Sequence, residues 1–426
     1  MRLVLVVSAF PKLSETFIVS KFLGLLDAGW DVHIVCRRSN ASEWHNFPEL
    51  ANRPDIRHRI HLTWPTKPRW RASLLMPVAL GRVLLANPGY GRRGWRRWGI
   101  GMLRHTYLDA ALAELKPDLV HFEFGSLAVE RMHLPQMLNC PVTVSFRGYD
   151  LNYIGLEKAD YYAPLWRKAA GLHLLGHDLW QRAQRRGCPA DKPHALIPPA
   201  IDTTFFQPEE PRTIESAVGT PDRPLRILSV GRLEWKKGYE YALQAVQLLQ
   251  QQGIHCEYHI IGGGDKSAAI AFARHQLRLD DTAQFLGATP RAEVKKQMAW
   301  ADLFLHAAVS EGFCNAVIEA QAMQLPIVTS DADGLAENVA HNTTGFVVSR
   351  RDPHGLALGM ARLAREPALR RQFGEAGRRR VLDKFSLDSQ IQAFSAFYSE
   401  RIGHSHNLVQ LPGRPSRQAE EARNRD

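Results

Sequence analysis

Short apolar runs alternate along the chain with longer stretches in which apolar residues recur every three or four positions. This is the pattern of parallel strands joined by helices. In the first half the runs fall at residues 3–7, 32–36, 119–122, 142–146, 172–175 and 195–197. A second series follows at 226–230, 258–261, 283–286, 303–306 and 327–329, separated by helical patterns at 238–252, 266–277, 291–300, 314–324 and 353–365. Runs with so few polar interruptions belong to sheets covered by helices on both faces. Ser14 is placed to cap a first helix that ends near Ala28, and Thr289-Pro290 reads as a capping hydroxyl followed by proline at the first helical position.

Between the two series, residues 207–224 hold four prolines and no long apolar run, so they read as a linker. The division predicted is therefore a first domain over 1–206, a linker over 207–224 and a second domain over 225–385. An amphipathic helix follows over 386–402. Residues 403–426 are polar and aperiodic, for which disorder is the default. In doubly wound sheets ligands bind beyond the carboxyl ends of the strands, so two such domains facing one another enclose a cleft.

The chain of 426 residues carries a net charge of +11, unevenly spread. Residues 1–205 hold 27 Lys and Arg against 17 Asp and Glu, which leaves 27 against 26 for the rest. Residues 66–108 contain nine of these cations and no acid, with Trp64, Trp70, Trp95 and Trp98 in or beside them. The segment reads as helical pieces broken at Pro77, at Pro88 and over 91–94. Two readings stay open for it: a solvated basic surface, or contact with an anionic membrane, since basic residues and tryptophan both favour that interface. No nucleic-acid-binding motif accompanies the charge. No apolar run approaches the roughly 20 residues that span a bilayer, and the run at 3–7 is too short for a signal-peptide core. Five scattered cysteines without CxxC spacing suggest thiols in a reducing, cytoplasmic setting.

The densest chemical signal is Ser310-Glu311-Gly312-Phe313-Cys314-Asn315, running on to Glu319. It follows a buried strand and opens a helix, whose N–H groups suit an anion. Glu319 lies in a mostly apolar helical stretch and needs a partner there. A ribose diol and a structural ion pair with a nearby Arg or Lys are both open. Arg232 and Lys237 flank a turn after the strand at 226–230, where two cations could neutralise a diphosphate. Gly262-Gly263-Gly264 makes a third such turn, where a base or ribose could lie against the backbone at Gly263. Asp331-Ala332-Asp333 spells a metal-binding motif but reads as loop chemistry.

Taken in order, Gly231-Arg232-Leu233 with Lys237-Gly238, the glycine turn, Phe285-Leu286-Gly287 and the Glu311/Glu319 pair resemble retaining glycosyltransferase family 4 of the GT-B fold. The resemblance runs over about 2–400 and is strongest in 225–350. With Phe10-Pro11 and Ser14-Glu15-Thr16-Phe17-Ile18, it looks like the branch that builds bacterial exopolysaccharide or lipopolysaccharide, colanic-acid-type enzymes included. It implies an α/β protein of two Rossmann-like domains facing a central cleft, with the 386–402 helix packing back on the first. It implies transfer from a nucleotide-sugar donor to a glycan or lipid-linked acceptor. Arg232 and Lys237 would hold the diphosphate, Glu319 the ribose, Glu311 the sugar hydroxyls, and amides over Gly312, Phe313, Cys314 and Asn315 would face sugar and phosphates. No metal or other cofactor is implied.

On the acceptor side the resemblance points to Ser14, Glu15, His121, Glu123 and Asp150. Here the chain departs from its relatives: Arg147 stands where they often carry a histidine near the reacting carbon. Arginine cannot act as a base, though it can bind phosphate, and Glu123 could pair with it. Equally, Arg147 and Glu123 could both stand back while His121 or His177 meets the substrate. Two other functions share the fold: a phosphorylase or hydrolase, and a non-catalytic binder of sugar nucleotide or lipid.

Overall fold

The computed structural model describes residues 1–12, 15–210 and 216–409. They form two parallel sheets. The first has the order β3-β2-β1-β4-β5-β6-β7, from β1 (Arg2–Ala9), β2 (Asp31–Arg38), β3 (Ile60–Leu62), β4 (Leu119–Phe122), β5 (Val142–Phe146), β6 (Gly171–Leu174) and β7 (His194–Leu196). The second has the order β10-β9-β8-β11-β12-β13, from β8 (Leu225–Val230), β9 (Cys256–Ile261), β10 (Ala283–Gly287), β11 (Leu303–His306), β12 (Ile327–Ser330) and β13 (Gly345–Val348). Strand order reverses beside β1 and again beside β8, so the loops after β1, β4, β8 and β11 open into the crevices where such sheets bind ligands.

The inner strands are buried along their whole length, as in β4, β5, β11 and β12. Two edge strands were not anticipated. β3 is three residues long and half-exposed, and β13, Gly345-Phe346-Val347-Val348, is an apolar run of only four residues.

The basic segment folds differently from expectation. One helix, Arg69–Ala86, runs straight through Pro77. Ser73 and Pro77 are both exposed, so water can take the carbonyl that proline leaves unpaired. The next helix, Pro88–Trp98, includes Gly91 and Gly94. A Cβ on Gly91 would lie 2.1 Å from Leu84, so this glycine permits close packing and does not break the helix. The break expected at Pro88 is present, with Asn87 between the helices, its side chain accepting from the Tyr90 N–H at 3.0 Å. At the helix Arg291–Trp300 the N-cap is Pro290, and the buried Thr289 hydroxyl has no partner among the described residues.

Val218, within the expected linker, packs in the second domain's core and donates its N–H to Ala364 at 3.0 Å. The last helix, Leu387–Val409, continues past the expected end at 402. Its Ile391, Phe394, Phe397, Tyr398 and Ile402 join Phe22, Leu25 and Trp30 in a core of the first domain. Trp30 Nε1 donates to Ser395 Oγ at 3.1 Å. Residues 410–426 lie outside those described. Among the described residues, no helix is long and apolar enough to cross a membrane.

Candidate active site

The loop after β8 is pinned by its neighbours. Gly231 donates its N–H to Ile261 O at 2.9 Å, and the Tyr239 hydroxyl donates to Gly231 O at 2.9 Å. A Cβ on Gly262, whose φ is +145°, would lie 1.9 Å from Gly231 O, and one on Gly264 would lie 2.5 Å from Leu233 O. These two glycines therefore let the turns stack. Gly263 alone of the three faces open space, with nothing nearer its Cβ position than Ala288 at 3.9 Å.

The stacking carries Lys237 to Glu311 in the loop after β11, and the two form a tight ion pair. His306, at the end of β11, places Nε2 3.6 Å from Glu311 Oε2. Burial works to raise the Glu311 carboxyl, but Lys237 and then His306 hold it down at about 2. For His306, burial is outweighed by Cys314 and Glu311, which raise its basicity. The Cys314 thiol is lowered against burial by His306 and Lys237. Together the four groups form one interacting cluster around the Lys237–Glu311 ion pair. His306, Glu311 and Cys314 offer three donor atoms within 4.8 Å of one another, a set that could by type hold a metal. The cation beside Glu311 in this structure is the Lys237 ammonium.

Glu319 stands apart. It lies on the helix Asn315–Ala322, partly buried, and its carboxyl has no hydrogen bond or ion pair among the described residues. Burial lifts it to about 7, opposed only by Arg291. Arg291 does not reach it: the guanidinium lies 4.6 and 4.8 Å over the rings of Phe205 and Phe206. The structural ion pair left open for Glu319 is therefore absent. Arg232 is not gathered with Lys237 either. Its side chain is 68% exposed and pairs with Glu234.

The segment after Glu311 is divided in its roles. Gly312 touches the other domain, since a Cβ there would lie 2.9 Å from Gly148 Cα. Phe313 wedges between the two cores, 5.8 Å from Phe385, and so is occupied in packing. The Cys314 N–H, expected to face the donor, instead donates to Asn338 Oδ1 at 3.3 Å. The N–H groups of Gly312 and Phe313 have no protein acceptor among the described residues, and Asn315 begins the helix.

In the first domain, Glu123 is fully buried between two cations. Lys21 Nζ donates to it at 2.6 Å and Arg147 Nη2 at 3.1 Å. Against burial, Lys21 and Arg147 keep the carboxyl ionised, while burial lowers Lys21 to about 8. Arg147 lies 3.8 Å over the Phe17 ring. Asp150, also fully buried, accepts from the N–H groups of Ser126 and Arg147 at 3.0 and 3.3 Å. His121 sits between the hydroxyls of Thr143 and Ser145, each at 2.8 Å. Of the residues expected on the acceptor side, His121, Glu123 and Asp150 are each 0% exposed and engaged with protein partners. The exposed His177 gives its backbone N–H to Glu337 at 2.9 Å. Glu15 pairs with Lys12, yet its Oε2 is buried without a partner, and its charge is felt by Arg147. Ser14 lies outside the described residues.

Sequence reasoning missed Lys21, although it shares a helical stripe with Ile18 and Leu25, the signal of a buried position. It also missed two carboxylates that join the domains. Asp333 accepts from Ser310 Oγ at 2.7 Å and from Glu311 N at 3.1 Å while pairing with Arg182 and Arg350. Glu337 caps the helix His177–Arg185, accepting from the N–H groups of His177 and Asp178 at 2.9 and 2.8 Å, where the helix dipole favours a negative charge.

Residues 212–380 match the family described as Glycosyl transferases group 1. An amylovoran biosynthesis glycosyltransferase of Erwinia amylovora, AmsK, is 30% identical over 394 residues, covering 86% of this chain and 92% of that protein. A lipopolysaccharide core biosynthesis mannosyltransferase of Rhizobium leguminosarum, LpcC, is 30% identical over 235 residues, or 53% of this chain and 65% of that protein. Among solved structures, sucrose-phosphate synthase of Thermosynechococcus elongatus superposes with a TM-score of 0.68 at 18% identity, covering 95% of this chain and 100% of that one. HepE of Anabaena, solved with UDP-glucose, superposes with a TM-score of 0.67 at 15% identity, covering 94% and 100%. The two facing domains are those of the GT-B fold, and the chain belongs to the group 1 glycosyltransferases.

Proposed function

We propose that this enzyme transfers a sugar, with retention of anomeric configuration, from a nucleoside-diphosphate donor to a glycan or lipid-linked acceptor in bacterial exopolysaccharide or lipopolysaccharide assembly. The observation that carries the reading is the Lys237–Glu311 pair at the switch point, with Glu319 unpartnered on the following helix. Lys237 is placed to meet the leaving diphosphate, joined by Arg232 once it leaves Glu234. Glu311, ionised throughout the working range, accepts from the hydroxyls of the transferred sugar. The carboxyl of Glu319 accepts from the ribose diol. The acceptor attacks on the face from which the diphosphate departs, and a diphosphate oxygen takes its proton. The protein then has only to stabilise charge on the leaving group, which Lys237 and Arg232 can do without a metal.

The test is the product of the reaction with UDP-glucose and a panel of other nucleotide sugars. Proton NMR of the new linkage should show the donor's anomeric configuration, with activity undiminished by EDTA. An inverted product, or donor hydrolysis unaffected by any acceptor, would refute it.

Membrane contact through the basic segment is favoured by one further observation. Trp70, Leu74, Val78 and Leu85 are exposed on the helix Arg69–Ala86 at spacings that share a face, with Leu85 at 87%. Trp95 and Ile100 are exposed next in the chain, among cations with no intervening acid. We propose that this face rests on the anionic inner leaflet of the plasma membrane, where a lipid-linked acceptor is presented. The full chain should float with phosphatidylglycerol vesicles and not with phosphatidylcholine, and Trp70→Glu with Leu85→Glu should abolish flotation. Equal flotation of that variant would refute the contact.

A further inference from the structure

A cavity of about 560 Å³ opens between the domains, beside the Lys237–Glu311 pair, and no role assigned so far uses it. It is an open cleft bordered by the helices Gly148–Tyr153 and His177–Arg185 and the 156–159 segment on one side and by the loops after β8, β11, β12 and β13 on the other. Ser310, next to Glu311, and Trp235, two residues before Lys237, form its edge toward the reacting groups. Five cationic side chains line it against one carboxylate, Asp333.

The cations divide into two sets. Arg182 and Arg350 share Asp333, and Arg186 donates to the carbonyls of Asp150, Leu151, Ile154 and Gly155, so these three build the walls. Lys158 and Arg185 are exposed and make no ion pair or side-chain hydrogen bond among the described residues. Arg182 and Arg350 are matched by Asp333 together with Asp178 and Asp331, so the positive charge left unpaired at the cavity is that of Lys158 and Arg185. Trp235 stands 54% exposed at the rim, offering a flat apolar face of the sort that pyranose rings stack on. The volume lies within the usual range of small-molecule sites, roughly 300–1,000 Å³.

We infer that this cavity receives the acceptor and selects one bearing an anionic group, a uronate carboxylate or a sugar phosphate, which Lys158 and Arg185 bind while Trp235 stacks on the ring. The inference rests on the reading of Lys237, Glu311 and Glu319 as the donor site. It makes the two domains unequal partners in specificity: the second holds the nucleotide, and the cavity reads acceptor charge. Charge-assisted pairing with a carboxylate or phosphate is the strong form of such contacts.

The experiment titrates the full chain, saturated with UDP, with octyl β-D-glucuronide, octyl β-D-glucoside and α-D-glucose 1-phosphate, by calorimetry at low and high salt. An anionic probe should bind about tenfold or more tightly than the neutral glucoside, a preference of about 1.4 kcal/mol. Salt should weaken that preference. The double variant Lys158→Ala, Arg185→Ala should abolish it with UDP affinity unchanged, while Trp235→Ala should weaken all probes that bind. The glucuronide and phosphate arms identify the anion. Equal affinity for the three probes, binding by none, or a preference that survives in the double variant would overturn the inference. Failure of the unaltered chain to bind UDP would strike the donor-site reading instead.

Discussion

Both domains set a glutamate against a lysine beyond the carboxyl end of a central strand, yet one further acid in each, Asp150 and Glu319, is left in opposite states. After β4, Glu123 is enclosed by Lys21 and Arg147, Asp150 by two backbone N–H groups, and His121 by two hydroxyls. In the second domain Lys237 meets Glu311, but Glu319 has no partner and rises to about 7. A buried charge whose protein partners are all in place serves positioning. One held without partners bears an unfavourable burial that a ligand's hydroxyls would offset.

Substitutions can break this contrast from either side. The largest effect belongs to Glu123→Gln, which leaves Lys21 and Arg147 facing each other without a counter-charge. Urea unfolding should show a loss of about 3–5 kcal/mol, while UDP affinity of the folded protein stays unchanged. A variant of normal stability that has lost transfer would make Glu123 a chemical group and dissolve the contrast. Next, Lys237→Ala should lower kcat by roughly 10²–10³ in donor turnover assays, with circular dichroism unchanged, because the leaving diphosphate loses its buried cation.

Glu319→Gln gives the smallest effect on stability and one of opposite sign. A carboxyl raised to about 7 binds its proton more tightly in the folded state, so it costs stability as pH rises from about 4.5 to about 7 and the cost then levels off. The glutamine variant should therefore match the parent at pH 4 and exceed it by about 2–3 kcal/mol at pH 8 in thermal unfolding. Its UDP affinity should fall about tenfold, and that of the parent should strengthen between pH 6 and 8. Destabilisation by Glu319→Gln at pH 8 would show a structural partner for this carboxylate.

The parts legible in the sequence share a physical property: their determinants are local. β4, β5 and β11 are continuous apolar runs, and the helices Arg291–Trp300 and Pro353–Arg365 are bounded by prolines and apolar periodicity. Glu311 and Glu319 stand out by their place after a strand, although spacing alone leaves Glu319 open between a ligand and an ion pair. Edge strand β3 buries little and so leaves a faint pattern, whereas β13 is a four-residue apolar run too short to stand out. Asp333 and Glu337 were illegible for a different reason. Their partners, Arg182 and the amides of His177 and Asp178, are more than 150 residues away and come near only when the domains face each other. Lys21 looked like a solvated lysine because the carboxylate that accounts for its burial lies 102 residues downstream.

The helix Leu387–Val409 brings the end of the chain into the core of its beginning. As the chain emerges from a ribosome, Phe22, Leu25 and Trp30 appear early, and Phe394 and Tyr398, which cover them, only after about 180 further residues of the second domain. At common synthesis rates that interval is roughly 10–40 s. Through it the first-made domain holds an apolar face open, a surface for a chaperone to guard. The second-made domain, whose own core is contiguous in sequence, can close first.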